Sequence, residues 1–223
     1  MNVVLFGANG MVGGGVLRAC LGDPRVDSVL AVGRHSCGVV HPKLRERLLS
    51  DLLELDAVKD DLTGYEACFF CVGVSSLAMS ETEYRRVTLD LTVGIAAVLG
   101  ERNPGLTFCY VSAQGSDMSG RSRVMWARIR GETENRLLQM PFRAYTFRPG
   151  LTEPWEGVPS RTKGVRLLYA LLHPFFPVLK RLFPNQVTTT AKIGRAMIRA
   201  ATVGCSKHVL EVRDINALAE AAV

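Results

Sequence analysis

One short stretch constrains this chain more than any other. An apolar run, 2-NVVLF-6, leads without a break into 7-GANGMVGGG-15, where Gly7, Gly10 and Gly13 stand at G-x-x-G-x-x-G spacing. The pattern then turns helical from about Met11 to Leu21. Glycine permits a tight turn, lets the main chain approach a bound group, and allows helix and strand to press together. The free N–H groups and positive dipole end of such a helix favour an anion beyond the strand. Strand, spaced glycines and helix in this order predict a dinucleotide pyrophosphate site on Gly7, Asn9, Gly10, Met11, Val12 and Gly13. The plain alternative, a glycine-rich surface turn, needs all three features to coincide.

The rest of the chain repeats the alternation. Strands are predicted at 28-SVLAV-32, through 44-LRERLLSDL-52 with an end near Asp51, at 67-ACFFCV-72, at 106-LTFCYVS-112 and at 143-RAYTFR-148. Helices are predicted over 81–102 and about 122–140, and Pro149-Gly150 stops the last of these strands. Short apolar strands joined by amphipathic helices need crossovers, which means a parallel sheet covered on both faces. The fold expected is therefore α/β, a doubly wound, Rossmann-like parallel sheet. Its ligand crevice lies beyond the carboxyl ends of the strands. Residues 1–223 read as one such domain, with 151–185 as a small substrate-side extension. A helix over 188–204, a strand over 207–212 and a helix over 214–222 capped by Asp214 complete the reading.

Charge and cysteine narrow the function classes. The chain carries 27 basic and 21 acidic residues, a net charge of +6 spread along its length. That favours a solvated surface with some attraction for an anionic ligand, and no nucleic-acid partner is expected. Cys68 and Cys71 form a C-x-x-C within an apolar strand. Residues three apart on a strand point to opposite faces, so buried reduced thiols are expected and no metal site. No secretory signal and no run of bilayer-spanning length are read, so the chain is expected to be soluble and cytoplasmic.

The end of the second strand bears on cofactor choice. An acid there usually accepts the ribose hydroxyls of NAD(H), but this chain reads 32-VGRH-35, 21 residues beyond Gly13. Arg34 offers a fork of donors to a 2′-phosphate, so NADP(H) is expected in preference to NAD(H). A surface arginine is the alternative. Asp51, with Leu52 beside it, is placed to reach the adenine, or else Asp51 caps a following helix.

Gly7, Gly10, Gly13, Arg34, Asp51, 71-CVG-73, 111-VSAQG-115 and 147-FRPG-150, in that order, resemble the short-chain dehydrogenase/reductase superfamily. Within it the chain is similar to the atypical NAD(P)H-binding, NAD-dependent epimerase/dehydratase-like group, over essentially its whole length. The resemblance implies that Cys71, Val72 and Gly73 lie against the cofactor and that Ser112 contacts the substrate or the nicotinamide amide. It implies that Pro149, Gly150 and Leu151 flank the nicotinamide. The superfamily's Tyr-x-x-x-Lys pair matches 126-WARIR-130, which places Trp126 at the tyrosine and Arg130 at the lysine. Arg130 keeps a permanent cation for the ribose. The indole of Trp126 donates a hydrogen bond but does not titrate usefully, so it cannot act as the general acid. Ser112, Tyr110, Tyr145, Glu132 and Glu153 are the substitutes to weigh, and the 116–122 loop is a possible cover for the site.

After Gly150, Trp155 either lines a pocket or seals its loop onto the core. The segment 165-VRLLYALLHPFFPVLKRLFP-184 reads as a lid or homodimer face, with peripheral membrane contact as the alternative. Pro174 and Pro177 argue against a span, and His173 reads as structural. Two functions follow. One is an NADP(H)-dependent oxidoreductase or epimerase-type enzyme on a small apolar substrate, and the other is a non-catalytic NADP(H)-sensing regulator or scaffold.

Overall fold

The computed structural model describes residues 1–52, 59–155 and 176–221. Strand β1 (Asn2–Phe6) passes through the glycine loop into α1 (Met11–Gly22), and β2 (Ser28–Gly33) and β3 (Leu44–Leu48) follow. Then come β4 (Ala67–Phe70), α2 (Glu81–Arg85), a π-helical turn (Arg86–Asp90) and α3 (Leu91–Arg102), which run on as one rod over the predicted 81–102 span. Next are β5 (Thr107–Val111), α4 (Met125–Leu138) and β6 (Arg143–Arg148). The C-terminal part holds β7 (Leu151–Glu153), α5 (Phe176–Leu182), β8 (Val187–Thr189), α6 (Thr190–Thr202), β9 (Val209–Glu211) and α7 (Val212–Glu220).

Seven strands form one sheet in the order β3-β2-β1-β4-β5-β6-β9, and each pairing is parallel. The chain winds one way from β1 to β3 and the other way from β4 to β9. The order therefore reverses between β1 and β4, where a doubly wound sheet opens its crevice. The expected fold class is the observed one. Alternate residues of each central strand supply two cores, as a sheet buried on both faces requires. Val3, Leu5, Phe69, Cys109 and Phe147 meet Val16, Leu17, Ile193 and Met197 of α1 and α6 on one face. Val4, Phe6, Cys68, Phe70, Phe108 and Tyr110 meet Leu91, Ile95, Leu99 and Leu137 of α3 and α4 on the other. On that second face Phe6, Phe70, Phe108 and Phe142 form a ladder with ring centroids 5.7, 5.9 and 5.7 Å apart. Cys68 belongs to the second core and Cys71 packs on the first, so the C-x-x-C thiols face apart. Burial pushes both thiols well up in pKa and keeps them protonated.

Several boundaries move. The third strand ends at Leu48, leaving Asp51 in the segment beyond it. Residues 151–153, read as loop, pair with β8 in a separate two-stranded parallel sheet. The last helix starts at Val212, and its cap is Glu211, which forms a reciprocal capping box with Asp214; Asp214 is the third helical residue rather than the cap. The apolar 165–184 segment lies mostly outside the described residues, as does His173. Its described part holds α5, with Phe176 buried and Leu182 and Phe183 exposed.

Helices α1 and α6 pack face to face because small residues line their contact. A Cβ on Gly15 would lie 2.2 Å from Thr190 Oγ1, and one on Gly194 would lie 2.5 Å from Ala19 Cβ. Separating the helices to admit a methyl group would disturb a close-packed core. Gly15→Ala is expected to lower unfolding free energy by about 1–3 kcal/mol in urea titrations. Gly22→Ala, where nothing lies within 4 Å, is the matched control and is expected to leave stability within about 1 kcal/mol.

Candidate functional site

The crevice is built by the turn after β1. Gly7 adopts φ +83°, and a Cβ there would lie 2.7 Å from both the carbonyl carbon and oxygen of Cys71. Only glycine meets both demands. Gly10 N donates to Gly7 O at 2.9 Å, and Gly14 N donates to Gly10 O at 2.8 Å, which closes the first turn of α1. Gly10 is an extended N-cap without a side-chain cap, and no acid occupies the first turn. The amides at the start of α1 are therefore the ones a helix cannot satisfy internally, at the positive end of its dipole. Gly13 serves the approach rather than the opening, because a Cβ there would come within 2.0 Å of Gly7 O.

Gly7, Asn9, Gly10, Met11, Arg34, Leu52, Cys71, Val72 and Gly73 line one crevice of ≈ 320 Å³, which also takes in Ala8, Gly33, His35 and Val74. Val12 and Gly13 lie just behind in the first turn of α1. Asp51 adjoins Leu52 but is exposed and is not part of the crevice wall. Asn9 has a role the glycine spacing does not announce. Its Nδ2 donates to His35 O at 2.7 Å and to Ser36 O at 3.0 Å, tying the loop after β2 to the glycine turn. Glu46 of β3 holds the same loop from the far side, accepting from Ser36 Oγ at 2.8 Å and Cys37 N at 2.7 Å. Arg34 is thus presented at the crevice by a fastened loop.

Ser112, Arg130, Pro149, Gly150 and Leu151 lie further along the same sheet edge, at the ends of β5 and β6. Ser112 is 4% exposed. Ser116 Oγ donates to Ala113 O at 2.8 Å, so the 3.0 Å contact between the two serine hydroxyls has Ser112 as donor. Ser112 then has only lone pairs left to offer, which suits a donor such as a carboxamide N–H or an alcohol. Arg130 reaches from α4 to the edge. Its Nε donates to Tyr84 Oη at 2.9 Å and its Nη1 to Val111 O at 3.4 Å. Nη2 lies 3.6 Å from where a Cβ on Gly73 would stand, which brings the guanidinium to the crevice rim. Trp126, one turn earlier, packs against the small cluster that Tyr84, Leu89 and Ile129 form, and its ring edge lies 3.4 Å from a Cβ position on Gly115.

The other proton-donor candidates are engaged elsewhere. Tyr110 is fully buried, and burial pushes its phenol up to about 12. Tyr145 stacks on His208 at 5.2 Å and accepts from Cys205 N at 3.1 Å. Glu132 takes both Arg85 nitrogens, at 2.7 and 2.5 Å, and that pairing holds its carboxyl below the usual range. Glu153 sits half-buried in β7. The 116–122 loop is fastened along α4: Asp117 N donates to Ala127 O at 2.9 Å and Asn135 Nδ2 to Met118 O at 2.8 Å. A Cβ on Gly131 would lie 1.9 Å from Asp117 O, so this loop is packing for α4 rather than a cover. Trp155 packs against the core, and its backbone N–H donates to Thr190 Oγ1 at 2.9 Å, which fits the sealing role. Among the described residues no group of three His, Cys, Asp or Glu side chains could hold a metal ion.

Two features were not anticipated from the sequence. One is Tyr84. The other is Arg148 within FRPG, whose guanidinium joins Glu134 of α4 to Glu211, the cap of α7. Glu134 is 0% exposed. This network fixes the end of β6, from which Pro149 and Gly150 turn; a Cβ on Gly150 would meet Gln114 Oε1 at 2.5 Å and Gln186 O at 2.8 Å.

A scan against protein-family models gives no match, and neither does a sequence search of curated proteins. Solved structures do share the fold. A short chain dehydrogenase family protein from Francisella tularensis subsp. tularensis SCHU S4 aligns with TM-score 0.64 and 11% identity over 91% of each chain. The UDP-glucose 4-epimerase of Thermotoga maritima, with UDP-glucose, aligns with TM-score 0.65 and 12% identity over 90% of this chain and 73% of that one. The Bordetella bronchiseptica enzyme WbmF, in complex with NAD+, aligns with TM-score 0.64 and 14% identity over 96% and 76%. The chain has the fold of short-chain dehydrogenase and epimerase structures.

The Arg148 network makes a direct prediction. Arg148→Ala leaves the carboxylate of Glu134 buried without its partner, and such a loss costs about 3–5 kcal/mol. Urea unfolding is expected to show a drop of that size, with a much smaller one for Asp61→Ala in the exposed Arg47 pair.

Proposed function

We propose that the crevice between β1, β2 and β4 binds NADP(H). We further propose that the protein is an NADP(H)-dependent oxidoreductase or epimerase-type enzyme acting on a small apolar substrate. The observation that carries this reading is the convergence of the glycine turn, the open first turn of α1 and Arg34 on one crevice. The turn and the helix amides suit a pyrophosphate, and Arg34 suits a 2′-phosphate. When bound, such a cofactor supplies or takes up a hydride. The chain's own part is to hold the phosphates at α1, the adenosine side at Arg34 and Leu52, and the ribose side at Arg130. Ser112 presents its lone pairs beside that ribose end. A small apolar substrate is in keeping with the apolar residues that follow Gly150.

One observation favours a second reading, in which the protein holds NADP(H) as a sensor without turnover. Trp126 stands where the resemblance expects the acid, and Tyr110, Tyr145 and Glu132 are all engaged in packing or pairing. Titration with NADPH and NADH, followed by NADPH consumption across a panel of carbonyl compounds, separates the two readings. Binding with turnover supports the enzyme, and tight binding without turnover on any of them supports the sensor.

Arg34→Asp is expected to weaken NADPH binding by about tenfold or more, with little loss for NADH. An unchanged preference would remove the basis for choosing NADP(H). Trp126→Tyr is expected to raise carbonyl reduction by about 10²-fold or more if the absent phenol is the only deficit. No gain in a variant that still binds NADPH would show that the site lacks more than this one group.

A further inference from the structure

Arginine at position 130 presents a problem of orientation that a lysine would not. A lysine ends in a compact point charge, whereas a guanidinium is a plane with five donors in fixed directions. To serve a ribose at the rim, the plane must be turned so that its terminal nitrogens face outward and its inner Nε–H finds an acceptor. A donor left unpaired in such a partly buried place is destabilising. Tyr84 is that acceptor, with Oη 2.9 Å from Arg130 Nε. The phenol is itself 1% exposed, so its oxygen faces the guanidinium and not the crevice.

The ring of Tyr84 has little freedom. Ser80 and Glu83 form a reciprocal capping box that starts α2, and Tyr84 follows directly. Leu89 and Ile129 are buried against it, with Met79, Val93, Met125 and Trp126 packed around them. Trp126, whose indole stands where the resemblance expects the proton donor, packs against this same cluster. From this fixed phenol the guanidinium points Nη1 at Val111 O, at 3.4 Å, and Nη2 towards Gly73, at 3.6 Å from its Cβ position.

We propose that Tyr84 is a positioning residue that aims the Arg130 guanidinium at the ribose end of the crevice, next to Gly73 and the end of β5. The proposal rests on the NADP(H) reading above. Tyr84 touches neither cofactor nor substrate and acts only through Arg130. Its effect should therefore fall on the nicotinamide half of a dinucleotide and not on the adenosine half. It should also vanish when residue 130 has no Nε.

The test is equilibrium binding of NADPH and of adenosine 2′,5′-bisphosphate, which lacks the nicotinamide ribose. The proteins are the full-length chain, Tyr84→Phe, Arg130→Lys and the double variant, each melted without ligand as a check of folding. Tyr84→Phe is expected to weaken NADPH about tenfold or more, in line with one lost hydrogen bond to a charged group. It is expected to leave the bisphosphate affinity unchanged. In the Arg130→Lys background the same substitution is expected to change NADPH affinity less than about twofold. Equal NADPH affinity for Tyr84→Phe and the parent protein would overturn the proposal. So would parallel losses for both ligands, or equal losses in both backgrounds, since each marks general packing. If the parent protein binds neither ligand, the NADP(H) reading falls and takes this proposal with it. If it binds the bisphosphate and NADPH equally well, that reading stands and Arg130 has no ribose to be aimed at.

Discussion

The crevice depends on how closely α1 can approach the carboxyl ends of β1 and β4. At Gly7 the main chain runs so near Cys71 that no Cβ fits, and at Gly13 the helix lies directly on the Gly7 carbonyl. These contacts set the position of the first helical turn, and with it the direction of every amide that a helix leaves unsatisfied. A slightly wider turn would still make a parallel sheet. It would not bring the positive end of α1, the β4 turn and the loop after β2 around one volume. The small residues on the back of α1 extend the same constraint, because Gly15 and Gly194 let α6 press the helix inward. The first turn of α1 is thus held by main-chain proximity at Gly7 and Gly13.

What the sequence made legible follows from how local each signal is. The glycine turn, the strand–helix alternation and the order of motifs are written in neighbouring residues, and the sheet order agrees with them. Nine residues read from spacing and resemblance line the same crevice because they all sit on turns at one edge of the sheet. Contacts between distant residues left no such trace. β7 and β8 are three residues each, too short for a period, and each is defined only by the other. Glu134 and Arg148 look like ordinary charges on a helix and a strand until the fold buries one against the other. Asn9 reads as a phosphate-loop residue, yet its amide is turned to the loop that carries Arg34. Tyr84 is 46 residues from Arg130, and nothing in either segment names the other. Its one local hint is the capping box, which marks where the helix begins and hence where Tyr84 stands.

The two departures from the Tyr-x-x-x-Lys pattern, Trp126 and Arg130, stand at one corner with that phenol. A larger ring at 126 adds apolar surface to the cluster that contains Tyr84, and a longer, planar cation at 130 uses the acceptor that Tyr84 provides. The guanidinium keeps its charge, while the indole offers no titratable proton. On the enzyme reading proposed above, proton transfer would turn on Ser112, whose hydrogen is already engaged with Ser116, and on groups brought by the substrate itself. A substrate that carries its own donor, such as a hydroxyl next to the reacting carbon, would meet the acceptor lone pairs of Ser112 directly. A bare ketone would find no such complement there.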